Sequence, residues 1–380
     1  MREDRPIGGT PGMLRTGYTT GACAAAAARA AWECLIGKAD AGTVLIRFPD
    51  GHARSMPVAG VRRDDGTAAE GWVIKDAGDD PDVTHGAVVR SRVSACRPDG
   101  EQDADFIETC NAGKVVLRAG VGVGRVTRRG LEVPPGKWAI NPVPRRMIAE
   151  NLALAGLGAD GSRWLVEIGI DGGAELAART LNPILGIVDG LSILGTSGFV
   201  IPCSNQAYLA TIRILLKGAR EMDCATAVLA TGGRTHRSAR AIHPDLPEPA
   251  FVRIGDFIRE AIEHAAGLGF DHIVVACMPG KLAKYAMGLA CTHAHVAALS
   301  MEELAQTLED AGMASTVVQA CRQNVSVRGF LEALESEAQR AVVERWAGQA
   351  LDVWKTWAPP CRFELLLFEN DGRRIGQWTC

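Results

Sequence analysis

The sequence predicts an α/β protein in two parts. An α+β first domain is expected over residues 1–203, followed by a Rossmann-like α/β domain with a mainly parallel sheet over residues 204–380. Two observations carry that expectation. Before about residue 200, strand-like runs crowd behind one alanine-rich helix, the texture of an α+β layer. Beyond it, short apolar runs alternate with amphipathic helical stretches, as a parallel sheet requires. With 380 residues the chain is long enough for two cores.

The first helix follows Leu14-Arg15-Thr16-Gly17-Tyr18-Thr19-Thr20-Gly21-Ala22-Cys23 and continues through residues 24–31. Thr19 or Thr20 can accept from a first-turn N–H group, and the neighbouring glycines let the chain turn sharply. The alanines favour helix and allow close packing. Such a start is a ready anion site, and equally a well-capped core helix. Residues 43–48 and 53–58 predict a hairpin around Pro49-Asp50-Gly51-His52. Further strands are expected at 71–74, 87–95, 113–118 and 164–170, with an acidic loop after the first of these. A proline-bracketed loop at 139–146 leads into a helix from about 145 to 154, and 173–179 reads as a short helix. Glycines break residues 180–190 and 193–198 into short pieces.

In the second half, helix 204–219 precedes strand 225–230 and the turn Thr231-Gly232-Gly233-Arg234. Helix 255–268 and strand 272–277 follow, and Met278-Pro279-Gly280-Lys281 opens another helix. Helices are expected near 301–311 and 327–346, and residues 363–368 with Asn370-Asp371-Gly372 predict a closing hairpin.

Composition narrows the function. Hydrophobic residues are 47%, charged residues 22% and the net charge is −3, as in soluble globular proteins. Lysines and arginines are scattered, which argues against a nucleic-acid partner. No apolar run of about 20 residues could span a bilayer, and the charged start lacks the apolar core of a signal peptide. Eleven cysteines, an odd number without a C-x-x-C pair, point to free thiols in a reducing cytoplasm. A homo-oligomer is left open.

Familiar motifs fail. Gly120-Val121-Gly122-Val123-Gly124 joins two strands and lacks the third glycine of a dinucleotide fingerprint. Gly280-Lys281 is followed by Leu282 rather than the hydroxyl residue of a P-loop, and Gly195-Thr196-Ser197-Gly198 lacks the spacing of a nucleophile elbow. Cys291, His293 and His295 alternate with no fourth ligand nearby, so no protein metal site is expected.

Four polar loops remain. Asp76, Asp79 and Asp80 crowd three carboxylates, where mutual repulsion could raise a pKa into acid–base range; an acidic surface turn is the plain alternative. Asn141 and Arg145 flank fixed prolines, making either a rigid carboxylate-binding corner or an ordinary helix start. Residues 231–236 and 278–281 follow strands of the expected parallel sheet, where open α/β sheets hold ligands.

The ordered set of motifs resembles the cobalt-precorrin-5B (C1)-methyltransferase family, the CbiD family of anaerobic cobalamin (vitamin B12) biosynthesis. The matching pieces are residues 14–21 with the alanine helix, 73–84, Ala139-Ile140-Asn141-Pro142-Val143-Pro144-Arg145, Leu181-Asn182-Pro183 with Gly186-Ile187-Val188, 190–198, Gly255-Asp256-Phe257 and Gly280-Lys281-Leu282. At Ala230-Thr231-Gly232-Gly233-Arg234, Cys277-Met278-Pro279 and Thr84-His85-Gly86 the chain departs from the usual family pattern. The resemblance implies transfer of a methyl group from S-adenosyl-L-methionine to C1 of cobalt-precorrin-5B, giving cobalt-precorrin-6A. Cobalt then belongs to the corrinoid substrate. Asp76, Asp79 and Asp80 become the catalytic candidates. Thr19, Thr20, Gly21, Asn141, Arg145, Asn182, Gly195, Thr196, Gly232, Gly233, Gly280, Lys281 and His293 become candidates for binding substrate or cofactor. The alternatives are a Rossmann-type oxidoreductase acting on a tetrapyrrole and a non-catalytic corrinoid-binding protein.

Overall fold

A computed structural model describes residues 14–38, 42–64, 66–96, 106–110, 113–158, 163–292 and 299–380. The chain divides into two compact units, one ending at Ser204 and the other running from Asn205 to Cys380.

In the first unit, strand β1 (Gly17–Tyr18) leads into helix α1 (Thr20–Leu35). The hairpin β2 (Thr43–Arg47) and β3 (Ala53–Pro57) follows, then β4 (Gly60–Asp64), β5 (Ala68–Ile74), β6 (Val88–Ala95), β7 (Phe106–Cys110), β8 (Gly113–Ala119) and β9 (Arg125–Val126). Helix α2 (Pro142–Leu154), β10 (Arg163–Ile170), α3 (Gly173–Ala177), β11 (Ile187–Val188) and β12 (Phe199–Val200) complete it. Six strands form one sheet in the order β4-β5-β6-β10-β8-β7, antiparallel throughout except for the β10–β8 pair. Strands β4 and β7 were not expected from sequence. Residues 60–64 give β4 an edge with no fully buried position, so its apolar signal is weak.

Helix α1 lies on this sheet, and its length is buried from Thr20 to Ala28. The approach is as close as backbones allow: a Cβ on Gly71 of β5 would sit 2.4 Å from the Ala27 carbonyl oxygen. Ser91 of β6 donates its hydroxyl to the Ala24 carbonyl at 3.0 Å. Alanine at each contact is what makes the packing feasible. Helix α2 begins at Pro142, three residues earlier than expected, because proline lacks only an N–H that the first helical turn leaves unpaired anyway. Buried Asn151 then ties α2 to β2, accepting from Arg47 N at 2.7 Å and donating to Arg47 O at 2.8 Å.

The second unit opens with α4 (Asn205–Glu221), β13 (Thr226–Ala230), α5 (Gly233–Ile242) and β14 (Phe251–Arg253). It continues through α6 (Ile258–Gly267), β15 (His272–Cys277), α7 (Pro279–Ala286), α8 (Met301–Asp310), α9 (Ser315–Gln323), α10 (Val327–Glu332) and α11 (Ser336–Trp357), and ends in the hairpin β16 (Arg362–Phe368) and β17 (Arg374–Thr379). The sheet order is β14-β13-β15-β16-β17, with the first four strands parallel and β17 antiparallel at the edge. This is the expected Rossmann-like class. The helix expected over 327–346 is two helices, α10 and α11, and the break lets Phe330 and Trp346 meet in the core with ring centroids 6.1 Å apart. Buried Glu364 of β16 pins the end of α5 to the sheet through His243 Nε2 at 3.1 Å, and accepts from Gln377 Nε2 at 2.8 Å. Among the described residues no helix is long and apolar enough to cross a membrane.

Because α1 touches the sheet without spare volume, Ala27→Leu overpacks it. The expected cost is about 1–3 kcal/mol, at roughly 2–4 °C of Tm for each kcal/mol; thermal unfolding by circular dichroism measures it, and an unchanged Tm would show that the contact is loose.

Candidate active site

Four motifs that lie far apart in the chain meet around the start of α1. Thr19 is its N-cap, accepting from Ala22 N at 3.2 Å, while its own N–H donates to Gly198 O at 3.0 Å. Thr20 Oγ1 donates to Ser192 O at 3.0 Å and accepts from Leu194 N at 2.9 Å. Gly21 N donates to Leu194 O at 3.0 Å, and a Cβ on Gly21 would lie 2.7 Å from the Pro144 ring. The segment 192–198 and the Asn-Pro-Val-Pro corner therefore close directly on the Thr-Gly-Tyr-Thr-Thr-Gly turn. This corrects one expectation: the helix start is not an open anion site, since the N–H groups of Gly21 and Ala22 already have protein acceptors.

The acidic loop, residues 75–84, is zipped to the same turn from the other side. Tyr18 N donates to Asp76 O at 2.7 Å, Asp79 N to Arg15 O at 2.9 Å, and Arg15 N to Asp79 Oδ2 at 2.6 Å. Two glycines permit the contact. A Cβ on Gly17 would fall 2.0 Å from the Ala77 carbonyl carbon, and Gly78 has φ +67° with Arg15 O 2.0 Å from where its Cβ would be. Beneath the loop, buried Lys75 donates to Asp82 Oδ2 at 2.6 Å, and Thr84 donates to Asp82 Oδ1 from both N and Oγ1. Burial pushes the Asp82 carboxyl up, but Lys75 and Thr84 outweigh it and hold the carboxyl below its ordinary range.

The three candidate carboxylates bond three different donor groups. Asp76 receives both terminal nitrogens of Arg15, Nη2 at 3.0 Å and Nη1 closer, together with Gly78 N at 2.9 Å. Asp79 takes Arg15 N, and Asp80 Oδ1 accepts from Cys203 N at 3.1 Å. The expectation that crowding raises a pKa here is wrong for Asp76: the Arg15 guanidinium holds it below the ordinary carboxylate range. An attractive partner in bidentate contact outweighs repulsion from neighbours that point elsewhere. His85 Nδ1 accepts from Ala77 N at 3.2 Å, so its ring proton belongs on Nε2. The motif by itself gives Arg15 no role; its charge next to a conformationally demanding Thr-Gly pair is the signal in the sequence that marks it.

Other candidates serve the scaffold. Asn141 is the residue before α2 and donates its side-chain amide to Glu132 Oε2 at 3.1 Å. Arg145 places its guanidinium carbon 4.0 Å from the Phe106 ring centroid and its Nε 3.3 Å from Glu108 Oε1, so the expected carboxylate-binding corner holds carboxylates of its own chain. Asn182 is buried and donates to Gly190 O at 3.2 Å. Gly195 abuts the Thr19 hydroxyl, 2.3 Å from where its Cβ would be, and Thr196 is exposed beside it.

In the second unit the candidates gather at the carboxyl ends of β13 and β15. The chain leaves β13 toward β14 on one side, and β15 pairs on the other, so this is the point where strand order reverses. Thr231 bridges the two strand ends through N to Ala276 O at 3.1 Å, and Thr235 Oγ1 braces Gly232 N at 3.0 Å. Among the described residues, a Cβ on Gly232 or Gly280 would meet no atom within 4 Å, so their packing does not require glycine there. Lys281, in the first turn of α7, donates to Asp256 and to Thr292 Oγ1 at 2.7 Å, while Thr292 donates to Asp256 Oδ1 at 2.8 Å. Lys284 reaches Thr292 O at 2.8 Å. Gly233 opens α5, and Arg234 after it reaches toward Asn370 at 3.4 Å. His293 and His295 lie outside the described residues.

With this geometry in place, comparison with known proteins identifies the family. The CbiD family pattern matches residues 9–202, and the pattern for the CbiD C-terminal domain matches residues 291–379. A cobalt-precorrin-5B C(1)-methyltransferase of Paraburkholderia phytofirmans is 38% identical over 382 residues, covering 99% of each chain. One from Geobacillus thermodenitrificans is 42% identical over 315 residues, 82% of this chain and 80% of that one. A crystal structure of a cobalamin biosynthesis protein (cbiD) from Archaeoglobus fulgidus, 26% identical, covers 79% of this chain and 85% of its own, with a TM-score of 0.38. By sequence match across both its halves, this chain belongs to the CbiD family.

Proposed function

We propose that this chain is a cytoplasmic S-adenosyl-L-methionine-dependent methyltransferase that methylates C1 of cobalt-precorrin-5B to give cobalt-precorrin-6A. The observation that carries the reading is end-to-end identity of 38% with a relative of that named activity. In the reaction the S–CH3 bond of the sulfonium breaks and C1 supplies the electron pair for the new C–C bond. The donor leaves as neutral S-adenosylhomocysteine, and the ring sheds a proton to balance charge. Such a transfer depends on in-line positioning more than on a protein nucleophile.

The acidic loop suits that demand electrostatically. Of Asp76, Asp79 and Asp80 only Asp76 is paired with the Arg15 guanidinium, while Asp79 and Asp80 accept from main-chain N–H groups, so the loop retains negative charge for the positive charge that travels with the methyl group. Asp76, kept ionised by Arg15, acts in this reading as a fixed anion and not as the proton acceptor. The open glycines Gly232 and Gly280 at the crevice of the second unit are proposed as a place where a ligand approaches the backbone directly. The two units are proposed to be separate domains, with the boundary along the chain near residue 204.

Incubation with cobalt-precorrin-5B and methyl-labelled S-adenosylmethionine is expected to place label at C1; folded protein that yields none refutes the assignment. Asp76→Asn should slow that transfer by about 100-fold, the scale of one preorganised electrostatic contact, and unchanged turnover would return the loop to a surface turn. Gly232→Val should leave Tm within about 2 °C, since its side chain meets open space, yet weaken S-adenosylhomocysteine binding at least tenfold by calorimetry. Asp76 should titrate below the ordinary carboxylate range by NMR. Because its folded pKa is depressed, its contribution to stability is present above the unfolded value and is lost as pH falls through the folded one; a wild-type midpoint at the ordinary value would mean that the Arg15 pair does not persist in solution.

A further inference from the structure

We propose that Arg15 is a specificity-determining residue that binds a carboxylate of the macrocyclic substrate, with Asp76 as the group that aims it. The inference rests on the methyltransferase reading, in which the ligand is a corrinoid edged by carboxylates. Its ground is a division of labour visible in the loop. The backbone of the Thr-Gly-Tyr turn and that of the acidic loop are joined by Tyr18 N to Asp76 O, Asp79 N to Arg15 O, and Arg15 N to Asp79 Oδ2. None of these uses the guanidinium. Among the described residues the guanidinium pairs with Asp76 alone, its side chain is 58% exposed, and solvent screens an exposed pair of this kind. The fold therefore does not need the Arg15 head group.

What the pair does achieve is orientation. Two of the five guanidinium N–H donors are spent on Asp76, which fixes the plane of the group. The remaining donors, Nε–H and one outer N–H on each of Nη1 and Nη2, are not used by Asp76, and Nε with its neighbouring Nη makes a second fork of the kind that receives a carboxylate. Around it, Asp79 and Asp80 would repel any acidic group that arrived elsewhere on the loop. Among the described residues of this turn and the acidic loop, Arg15 is thus the exposed cation that can receive a substrate carboxylate, and the neighbouring anions sharpen the choice.

Absorbance titration of the purified chain with cobalt-precorrin-5B, and with its fully methyl-esterified form, tests this. Arg15→Gln should weaken binding of the free acid by about 10- to 100-fold, the value of a lost charge-assisted bidentate contact. Arg15→Lys should restore part of it. The esterified macrocycle should bind wild type and Arg15→Gln equally, and binding of S-adenosylhomocysteine and the Tm should be unchanged. Equal binding of the free acid by wild type and Arg15→Gln overturns the proposal alone. Joint loss of both ligands with a lowered Tm also overturns it, by making Arg15 structural. A wild-type chain that binds neither macrocycle refutes the methyltransferase reading itself.

Discussion

Helix α1 rests on the six-stranded sheet through small residues, alanines on the helix and Gly71 and Ser91 on the strands. Gly71 meets the Ala27 carbonyl and Ser91 bonds the Ala24 carbonyl, so the helix axis is set by backbone contact and not by interlocking of long side chains. That constraint propagates. A helix held this tightly has a fixed N-terminus, and the segments 14–18, 76–80, 141–144 and 192–198 are all bonded to it or to one another. Close backbone packing is thus the foundation on which the loops of the candidate site are positioned.

Electrostatics then separates groups that composition treats as one cluster. Asp76 is paired with Arg15, Asp79 closes a main-chain link, Asp80 holds Cys203, and Asp82 neutralises buried Lys75. Of these four acidic side chains within seven residues, Asp76 and Asp79 both bond Arg15, one through its guanidinium and one through its N–H, while Asp80 and Asp82, at the edge of the loop and below it, serve structure. The charge left to a ligand is consequently local and directional, with Arg15 as its positive counterpoint.

The second unit builds its site by topology instead. With β14 and β15 on opposite sides of β13, the turns at the carboxyl ends of β13 and β15 carry Gly232 and Gly280, and among the described residues no atom lies within 4 Å of where a Cβ on either would stand. The Lys281–Asp256–Thr292 network fixes the turn at β15 to the end of β14. Lys281 was legible as a candidate from its place after a strand; its partners, some 25 residues upstream and 11 downstream, were not.

The sequence by itself determined the fold class, the alanine helix with its Thr19 cap, the alternation that makes the second sheet parallel, and the family, because each depends on local periodicity or on residues adjacent in the chain. It did not determine the edge strands β4 and β7, which are held by backbone pairing with β5 and β8 that their own pattern does not reveal. Nor could it say that Arg145 covers Phe106, or that Asp76 is depressed and not raised, since both follow from side chains separated by dozens of positions. Only the tertiary structure decided those, because burial and charge pairing act through space and are indifferent to distance along the chain.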